Sequence, residues 1–504
     1  MKGKVYLVGA GPGDTGLLTV KGERCLRGAG CVVYDALVNP ELLSLVPENA
    51  KRIYVGKRGA VHALEQDGIN NLLVRLSRSH DSVVRLKGGD PFIFGRGGEE
   101  AKVLSDSGVP FEIVPGVSSA VAAPAYAGIP VTDRRHTSLV TFATGHMKKD
   151  GELDLPWQSL ASGGGTIVFL MGISSLDVIV SKLIEAGKDP ATPAAVISNG
   201  TTLRQKTVAG PLKDIAAIVK KAGIQAPAVT VVGSVTTLRK DLAWFEKKPL
   251  FGKKAVVTRS RAQASVMVEQ LKELGADVVS FPTIRIEPSK DFRALDKAIK
   301  GLNSYNWIIF TSVNGVQVFF DRLKTLGLDA RRFGPAKVAA IGPATADSLR
   351  AMGVEADAVP KEYVSEAILK KLGKVKGLKI LLPRAAAARD TLHTELKRGG
   401  ALVTEIPTYY TKRDTGNYKE LVRSLAEGGV DFVTFTSSST VEGFMANFKG
   451  NKRKLLNGVV LGSIGPVTSA ALKAHGFKPA FEAREYTIPG LVDAALAYFK
   501  RKKK

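Results

Sequence analysis

Two glycine-rich stretches in the N-terminal half are the residues best suited to chemistry. Leu7 to Asp14 reads L-V-G-A-G-P-G-D, a strand ending in glycines that let the backbone come close to a ligand. The spacing is G-x-G-x-G, and Pro12 removes an amide donor from the turn, so the loop departs from the dinucleotide fingerprint G-x-G-x-x-G. Val83 to Glu100 reads V-V-R-L-K-G-G-D-P-F-I-F-G-R-G-G-E-E. Here a strand runs into Gly88-Gly89, then an acid, a proline and more glycines, before a helix opened by Glu99 and Glu100, where acids favour the positive helix end. Asp90, beside exposed backbone, is placed either to orient a ligand or to cap its own turn.

Such loops need alternating strands and helices behind them. Lys4 to Val8, Ser82 to Leu86 and Thr166 to Leu170 are β-rich runs, Gly98 to Asp106 and Leu176 to Ala186 are helical patterns, and Gly or Pro marks the junctions. The fold class is α/β. At Phe245 to Lys254 the sequence F-E-K-K-P-L-F-G-K-K interrupts the pattern before a new strand at Ala255. The expected division is a first domain over 1–245, a linker over 246–252 and a second domain over 253–499. A chain of 504 residues holds three or four packed units at about 100–200 residues each.

The second half repeats itself. A-V-V-T-R from Ala255 moved forward by 125 residues lands on I-L-L-P-R from Ile380, and Leu271, Gly275 and Pro282 land on Leu396, Gly400 and Pro407. I-F-T-S-V-N-G-V from Ile309 meets T-F-T-S-S-S-T-V from Thr434, and I-G-P-A-T-A from Ile341 meets I-G-P-V-T-S from Ile464 at an offset of 123. Two similar, doubly wound α/β lobes follow, with a ligand cleft expected at the carboxyl ends of their strands.

Composition narrows the functions. Hydrophobic residues at 44% and charged residues at 24% exclude a disordered or fibrous chain. The 72 Lys+Arg against 47 Asp+Glu leave +25, divided as +7 over residues 1–250 and +18 over 251–504, a balance suited to polyanionic partners. Cys25 and Cys31 are the only cysteines, too few for a disulfide framework or a thiolate metal site. With no secretory h-region and no apolar run of about 18 residues, a soluble, cytoplasmic protein with no membrane partner is expected.

These motifs, together with V-V-Y-D at Val32 to Asp35, V-G-K-R at Val55 to Arg58, V-P-G-V-S-S-A from Val114, G-I-P-V-T-D-R-R-H from Gly128 and S-N-G-T-T-L-R-Q-K from Ser198, closely resemble uroporphyrinogen-III C-methyltransferase, from Met1 to about Phe245. The resemblance implies a tetrapyrrole methylase fold of two α/β subdomains. S-adenosylmethionine would lie in the cleft between them, and uroporphyrinogen III would be methylated twice to precorrin-2. Residue by residue it places Pro12, Gly88, Gly89, Asp90, Ile93, Ser118, Ser119, Met171 and Gly200 around S-adenosylmethionine. Ser118 and Ser119 replace a Thr-Ala pair common in relatives, and Met171 taken alone reads as core packing. Asp35 is implied as proton acceptor and Lys57 as proton donor, since a pyrrole carbon attacks the sulfonium methyl more readily once its N–H proton is taken. Taken alone, Asp35 reads as a strand-end cap and Lys57 as a solvated charge. Arg58, Arg134, Arg135 and His136 are candidates for the substrate carboxylates. The resemblance also implies a homodimer through this half.

T-S-V-N-G-V at Thr311, I-G-P-A-T at Ile341, L-P-R-A at Leu382, T-F-T-S-S-S-T-V at Thr434 and I-G-P-V-T at Ile464 are similar to uroporphyrinogen-III synthase over about Leu250 to Phe499. That resemblance implies cofactor-free closure of hydroxymethylbilane to uroporphyrinogen III with inversion of one pyrrole ring. Loss of the hydroxyl leaves a cationic azafulvene, and the site must hold a flexible polycarboxylate while a spiro intermediate forms. Thr311, Ser312, Thr436, Ser437 and Ser438 occupy the repeated turns, and Thr345 and Thr468 follow the Ile-Gly-Pro turns; helix capping is the competing use of such hydroxyls. Arg259 and Arg384, at the same offset, are candidates for substrate carboxylates. Tyr409, next to Tyr410, stands where the family often carries a tyrosine that assists hydroxyl departure. The strands Thr283 to Glu287 and Thr408 to Lys412 are implied to cross between lobes.

The two resemblances together describe a bifunctional methyltransferase and lyase of porphyrin biosynthesis. They imply that the C-terminal half acts first and the N-terminal half second, on substrates that would each carry eight carboxylates. Methylation of a different cobalamin precursor, or a two-lobed binding module in the second half, are the alternatives. Nucleic acid is not an expected partner: the charge is dispersed, aromatics are 7%, and no standard nucleic-acid signature appears.

Overall fold

Runs of β-branched and aliphatic residues build four five-stranded sheets. The computed structural model describes residues 3–56, 65–147, 153–259, 261–360, 365–387, 391–414, 418–448, 450 and 452–503. The chain divides into two units, Met1–Gly252 and Lys253–Lys504. Among the described residues no helix is long and apolar enough to cross a membrane.

The first sheet of unit 1 holds β1 (Lys4–Gly9), β2 (Cys31–Tyr34), β3 (Lys51–Tyr54), β4 (Ser82–Lys87) and β5 (Phe111–Val114), all parallel, in the order β3-β2-β4-β1-β5. From β1 the chain leaves toward β2 and from β4 toward β5, in opposite directions. The ends of β1 and β4 therefore meet where the connections diverge, the usual place for a ligand crevice. The second sheet, β6 (Val140–Thr144), β7 (Thr166–Leu170), β8 (Pro193–Ser198), β9 (Lys206–Pro211) and β10 (Ala228–Val232), runs β6-β7-β10-β8-β9 and is mixed. The helix Ser119–Tyr126 follows β5 and lays Ala120 and Ala123 on Val168, Leu170 and Ile197 of the second sheet. Its small residues let it pack closely.

Residues 246–252, expected as a linker, are built into unit 1. Leu250 is fully buried, Phe245 packs edge-to-face on Tyr126 and Phe251, and Glu246 accepts three side-chain hydrogen bonds. The charge and proline of this stretch end a helical pattern without freeing the chain.

Unit 2 contains β11 (Lys254–Val257), β12 (Asp277–Ser280), β13 (Ile284–Pro288), β14 (Trp307–Phe310), β15 (Lys337–Ala340), β16 (Lys379–Ala385), β17 (Leu402–Arg413), β18 (Phe432–Phe435), β19 (Val460–Ser463) and β20 (Phe481–Glu482). One sheet runs β12-β11-β18-β19-β20, all parallel; the other runs β13-β17-β16-β14-β15, with β13 antiparallel to β17. The 125-residue offset maps β11, β12 and β14 onto β16, β17 and β18. It does not map lobe onto lobe by simple succession. Each lobe takes the opening βαβ segment of one repeat and the later strands of the other, exchanged along β13 and β17. The cores keep the correspondence: Phe310 meets Phe319 edge-to-face at 5.3 Å, and Phe435 meets Phe444 at 5.3 Å, contacts that add roughly 0.5–1.5 kcal/mol each beyond their buried area.

Candidate active sites

In unit 1 the two glycine loops are tied to each other at the ends of β1 and β4. Ala10 N–H donates to the Lys87 carbonyl at 2.7 Å, and Gly11 and Gly89 exchange hydrogen bonds at 3.2 and 2.8 Å. A Cβ on Gly9 would stand 2.5 Å from Gly116 Cα, and one on Gly116 would stand 2.4 Å from the Gly89 oxygen, so only glycines allow this triple contact. Pro12 is half-buried on the same loop. Gly88 abuts Leu37, while Gly89, at φ 68°, has nothing nearer its Cβ position than the Ser119 amide nitrogen at 3.8 Å. Open space remains beside that amide.

Asp90 fixes the shape of this crevice. Its Oδ1 accepts from the amides of Phe92 (2.8 Å) and Ile93 (3.1 Å), and its Oδ2 accepts from Gly116 N–H at 3.0 Å. The turn-capping use is thus realised, and it also pins the Gly116 loop. Phe92, Ile93 and Phe94 are exposed, with Phe94 and Arg96 in left-handed backbone. Ser118 caps the helix Ser119–Tyr126 by accepting from Ala120 N–H at 3.2 Å.

Met171 and Gly200 follow β7 and β8 of the second sheet. Met171, at the end of β7, is 47% exposed and left-handed at φ 55°, which removes the core-packing reading. Gly200 sits between left-handed Asn199 and Thr201, and a Cβ there would stand 2.4 Å from Ala123 Cβ. Asp14 N–H donates to Thr201 Oγ1 at 3.1 Å, and Tyr126 donates to Asp14 Oδ2 at 2.8 Å; burial, then the Asp14 carboxylate, pushes that phenol's pKa up. Loops of both sheets therefore meet around Pro12 and Gly200.

Asp35 ends β2. Its Oδ1 accepts from Leu37 N–H at 3.1 Å and its Oδ2 from Arg85 Nη2 at 3.3 Å. Behind it lies a charge cluster that the sequence reading missed. Glu100, 0% exposed, accepts through Oε1 from Arg85 Nε (3.1 Å), Lys87 Nζ (2.9 Å) and Gln66 Nε2 (3.2 Å), and its Oε2 is buried without a partner. Burial, and Arg85 nearby, push the Lys87 ammonium below its usual range, partly offset by Glu100. The available signal was two cations at alternate positions of an otherwise apolar strand. Lys57 and Arg58 lie outside the described residues. Arg134 is exposed on the turn where Arg135 pairs with Asp133 at 3.3 Å and His136 N–H donates to the Asp133 carbonyl.

In unit 2, Ser312 Oγ lies 2.9 Å from the Tyr409 hydroxyl and accepts from Gly315 N–H at 3.0 Å, capping the helix Val313–Thr325. Tyr409 is buried on β17 while Tyr410 points outward at 45% exposure. Thr311 and Thr436 are half-buried at the ends of β14 and β18. Ser437 caps the helix Ser438–Met445 in a reciprocal pair with Thr440. Its counterpart Ser312 faces a phenol; the 125-residue offset that pairs Ser312 with Ser437 pairs Tyr409 with Ile284. Thr345 and Thr468 are buried in the first turns of their helices. Arg384 is 2% exposed and its Nη2 pairs with Glu405 at 2.7 Å, so its charge is already balanced inside the lobe. Burial lowers the Arg259 pKa.

Residues 4–216 match the family described as tetrapyrrole (corrin/porphyrin) methylases, and residues 265–493 match that of uroporphyrinogen-III synthase HemD. The porphyrin biosynthesis protein HemD of Ruminiclostridium josui is 39% identical over 498 residues, 98% of this chain and 98% of that protein. A siroheme synthase of Pseudomonas aeruginosa is 51% identical over 244 residues, 48% of this chain and 52% of the other, so the match covers about half of that relative. The solved uroporphyrin-III C-methyltransferase of Thermus thermophilus, complexed with S-adenyl homocysteine, is 38% identical with a TM-score of 0.41, over 47% of this chain and 100% of that one.

Proposed function

The chain belongs to the tetrapyrrole methylases through its N-terminal half and to the uroporphyrinogen-III synthases through its C-terminal half, a bifunctional enzyme, and from that premise we propose that it carries hydroxymethylbilane to precorrin-2. The observation that carries the two-step reading is the relative that matches both halves in one chain over 98% of its length.

The C-terminal half acts first and without a cofactor. The buried Tyr409 hydroxyl, held by Ser312, protonates the departing hydroxyl of hydroxymethylbilane as the carbon–oxygen bond breaks and water leaves. The azafulvene cation then closes through the spiro intermediate while Thr311, Thr436 and Ser437 hold the chain and Arg259 takes a carboxylate. Thr345 and Thr468 are buried in the first turns of the helices that follow the two Ile-Gly-Pro segments.

The N-terminal half methylates uroporphyrinogen III. S-adenosylmethionine, when bound, supplies an electrophilic methyl group on sulfur. The crevice fits it: the glycine contacts leave room at Gly89, and the exposed, left-handed Met171 supplies an apolar edge. Pro12, Gly88, Gly89, Ile93, Ser118, Ser119, Met171 and Gly200 line the donor site, with Asp90 holding its shape. Asp35, oriented by Arg85, accepts the pyrrole N–H proton as the ring carbon attacks. Lys57 returns a proton, and Arg58 and Arg134 bind carboxylate arms. The enzyme works in the cytoplasm as a homodimer through this half, and the match to siroheme synthases favours siroheme as the outlet for its product.

Incubating the purified chain with hydroxymethylbilane and S-adenosylmethionine tests the proposal. A product two methyl groups heavier than uroporphyrinogen III is expected. A single methylation, or none, refutes it.

A further inference from the structure

The expected linker contributes a carboxylate that reaches toward the methyl-donor loops. Glu246, in the last seven residues of unit 1, accepts from Gln205 Nε2 at 2.8 Å and from Thr207 Oγ1 through Oε1, and from Arg239 Nη2 at 2.7 Å through Oε2. Gln205 is buried, and its Oε1 accepts from Thr201 N–H at 2.8 Å. The amide orientation is fixed by chemistry: a carboxylate only accepts and a backbone N–H only donates. Thr201 and Asn199 are both left-handed, at φ 66° and 46°, a conformation that non-glycine residues hold only when their surroundings over-determine it. Thr201 Oγ1 in turn accepts from Asp14 N–H at 3.1 Å, so the chain of contacts ends on the loops that carry Pro12 and Gly200.

We propose that Glu246 is a positioning residue for the methyl-donor site: through Gln205 it holds the strained Asn199–Thr201 backbone, and through Thr201 it sets the Gly11–Asp14 loop. The inference rests on the reading that Pro12 and Gly200 line that site. Glu246 reaches those loops only through Gln205 and Thr201, so its effect is on affinity rather than on the chemical step. Its two oxygens separate two roles. Oε1 serves the path to Thr201, and Oε2 serves the ion pair with Arg239.

The test uses the full chain. Glu246→Ala is expected to weaken S-adenosylhomocysteine binding, measured by calorimetry, by about five- to twentyfold, and to raise KM for S-adenosylmethionine in parallel. It should leave kcat within about twofold, because the attacking groups near Asp35 are untouched. Glu246→Gln keeps an acceptor for Gln205 while its NH2 replaces the acceptor facing Arg239, and it is expected to retain most of the wild-type affinity. Gln205→Ala should match Glu246→Ala, and the double variant should be no weaker than either single one. Wild-type affinity in a folded Glu246→Ala protein overturns the inference, as does equal weakening in Glu246→Gln. If Glu246→Ala does not fold, wild-type affinity in Gln205→Ala overturns it. A wild-type chain that binds no S-adenosylhomocysteine overturns the donor-site reading itself.

Discussion

Removing Glu100 probes the buried charges behind Asp35 directly. Its carboxylate, shut off from solvent, is shared by Arg85 at 3.1 Å, Lys87 at 2.9 Å and Gln66 at 3.2 Å. Glu100→Ala leaves two cations inside the unit with Asp35, 3.3 Å from Arg85, as their remaining acidic partner. Arg85 cannot shed its proton; Lys87 can, and its pKa is already lowered by burial and by Arg85. Stripping one partner from a buried pair costs about 3–5 kcal/mol, and neutralisation of Lys87 moves the loss toward the lower figure. At roughly 2–4 °C per kcal/mol for a unit of this size, the N-terminal unit should melt roughly 6–20 °C lower.

The pH dependence has a definite sign. A lysine whose folded pKa lies below its unfolded value makes the fold more stable as pH rises between the two, because the unfolded chain then holds the extra proton. Without Glu100, which raises Lys87, the folded value drops further and that gain begins at lower pH. The gap between wild type and Glu100→Ala should therefore narrow through the window between the two folded values and then stay constant. Scanning calorimetry of the full chain at several pH values, with S-adenosylhomocysteine identifying the N-terminal transition, reads both effects. A loss under about 1 kcal/mol, the worth of an exposed pair, or a gap that widens with pH, refutes the reasoning.

Three further outcomes are expected. Asp35→Asn keeps the side chain's shape and should lower methyl transfer by about 10²–10⁴-fold with cyclisation unchanged; methylation within tenfold of wild type would remove Asp35 as the base. Tyr409→Phe keeps the ring but loses the hydroxyl 2.9 Å from Ser312; cyclisation should fall at least about a hundredfold, while methylation of supplied uroporphyrinogen III persists, and full cyclase activity would refute the assignment. Gly116→Ala puts a Cβ 2.4 Å from the Gly89 oxygen and 2.7 Å from Gly9 Cα, costing about 1–3 kcal/mol of strain. Calorimetry should show S-adenosylhomocysteine affinity lost along with stability, and unchanged affinity would show that the triple-glycine contact does not shape the donor site.

Much of the donor crevice was readable because glycine, proline and acid at fixed positions report backbone demands directly. Gly9, Gly89 and Gly116 were each conspicuous; that they touch one another depends on strand order, which sequence does not carry. Glu99 and Glu100 looked alike as acids opening a helix. Only Glu99 is exposed, pairing with Arg96, whereas Glu100 turns inward because Arg85 and Lys87 present buried cations on β4. The stretch 246–252 misled for a related reason: charge and proline resemble a linker until Glu246 is seen to accept from three side chains of unit 1, the buried Gln205 among them. In the second half the repeat identified corresponding strands correctly, yet local similarity cannot tell which copy's strands share a sheet.

That exchange has a consequence for how such a half can arise and be divided. A chain carrying one copy of the 125-residue pattern could complete neither lobe, because its opening βαβ segment and its later strands belong to different sheets. Two such chains would finish both lobes by trading segments along the crossing strands, in the manner of a domain-swapped pair. The synthase half thus contains a dimer's two-fold relation within a single polypeptide. Joining the copies freed them from identity, so that Tyr409 could serve one lobe while its counterpart became Ile284.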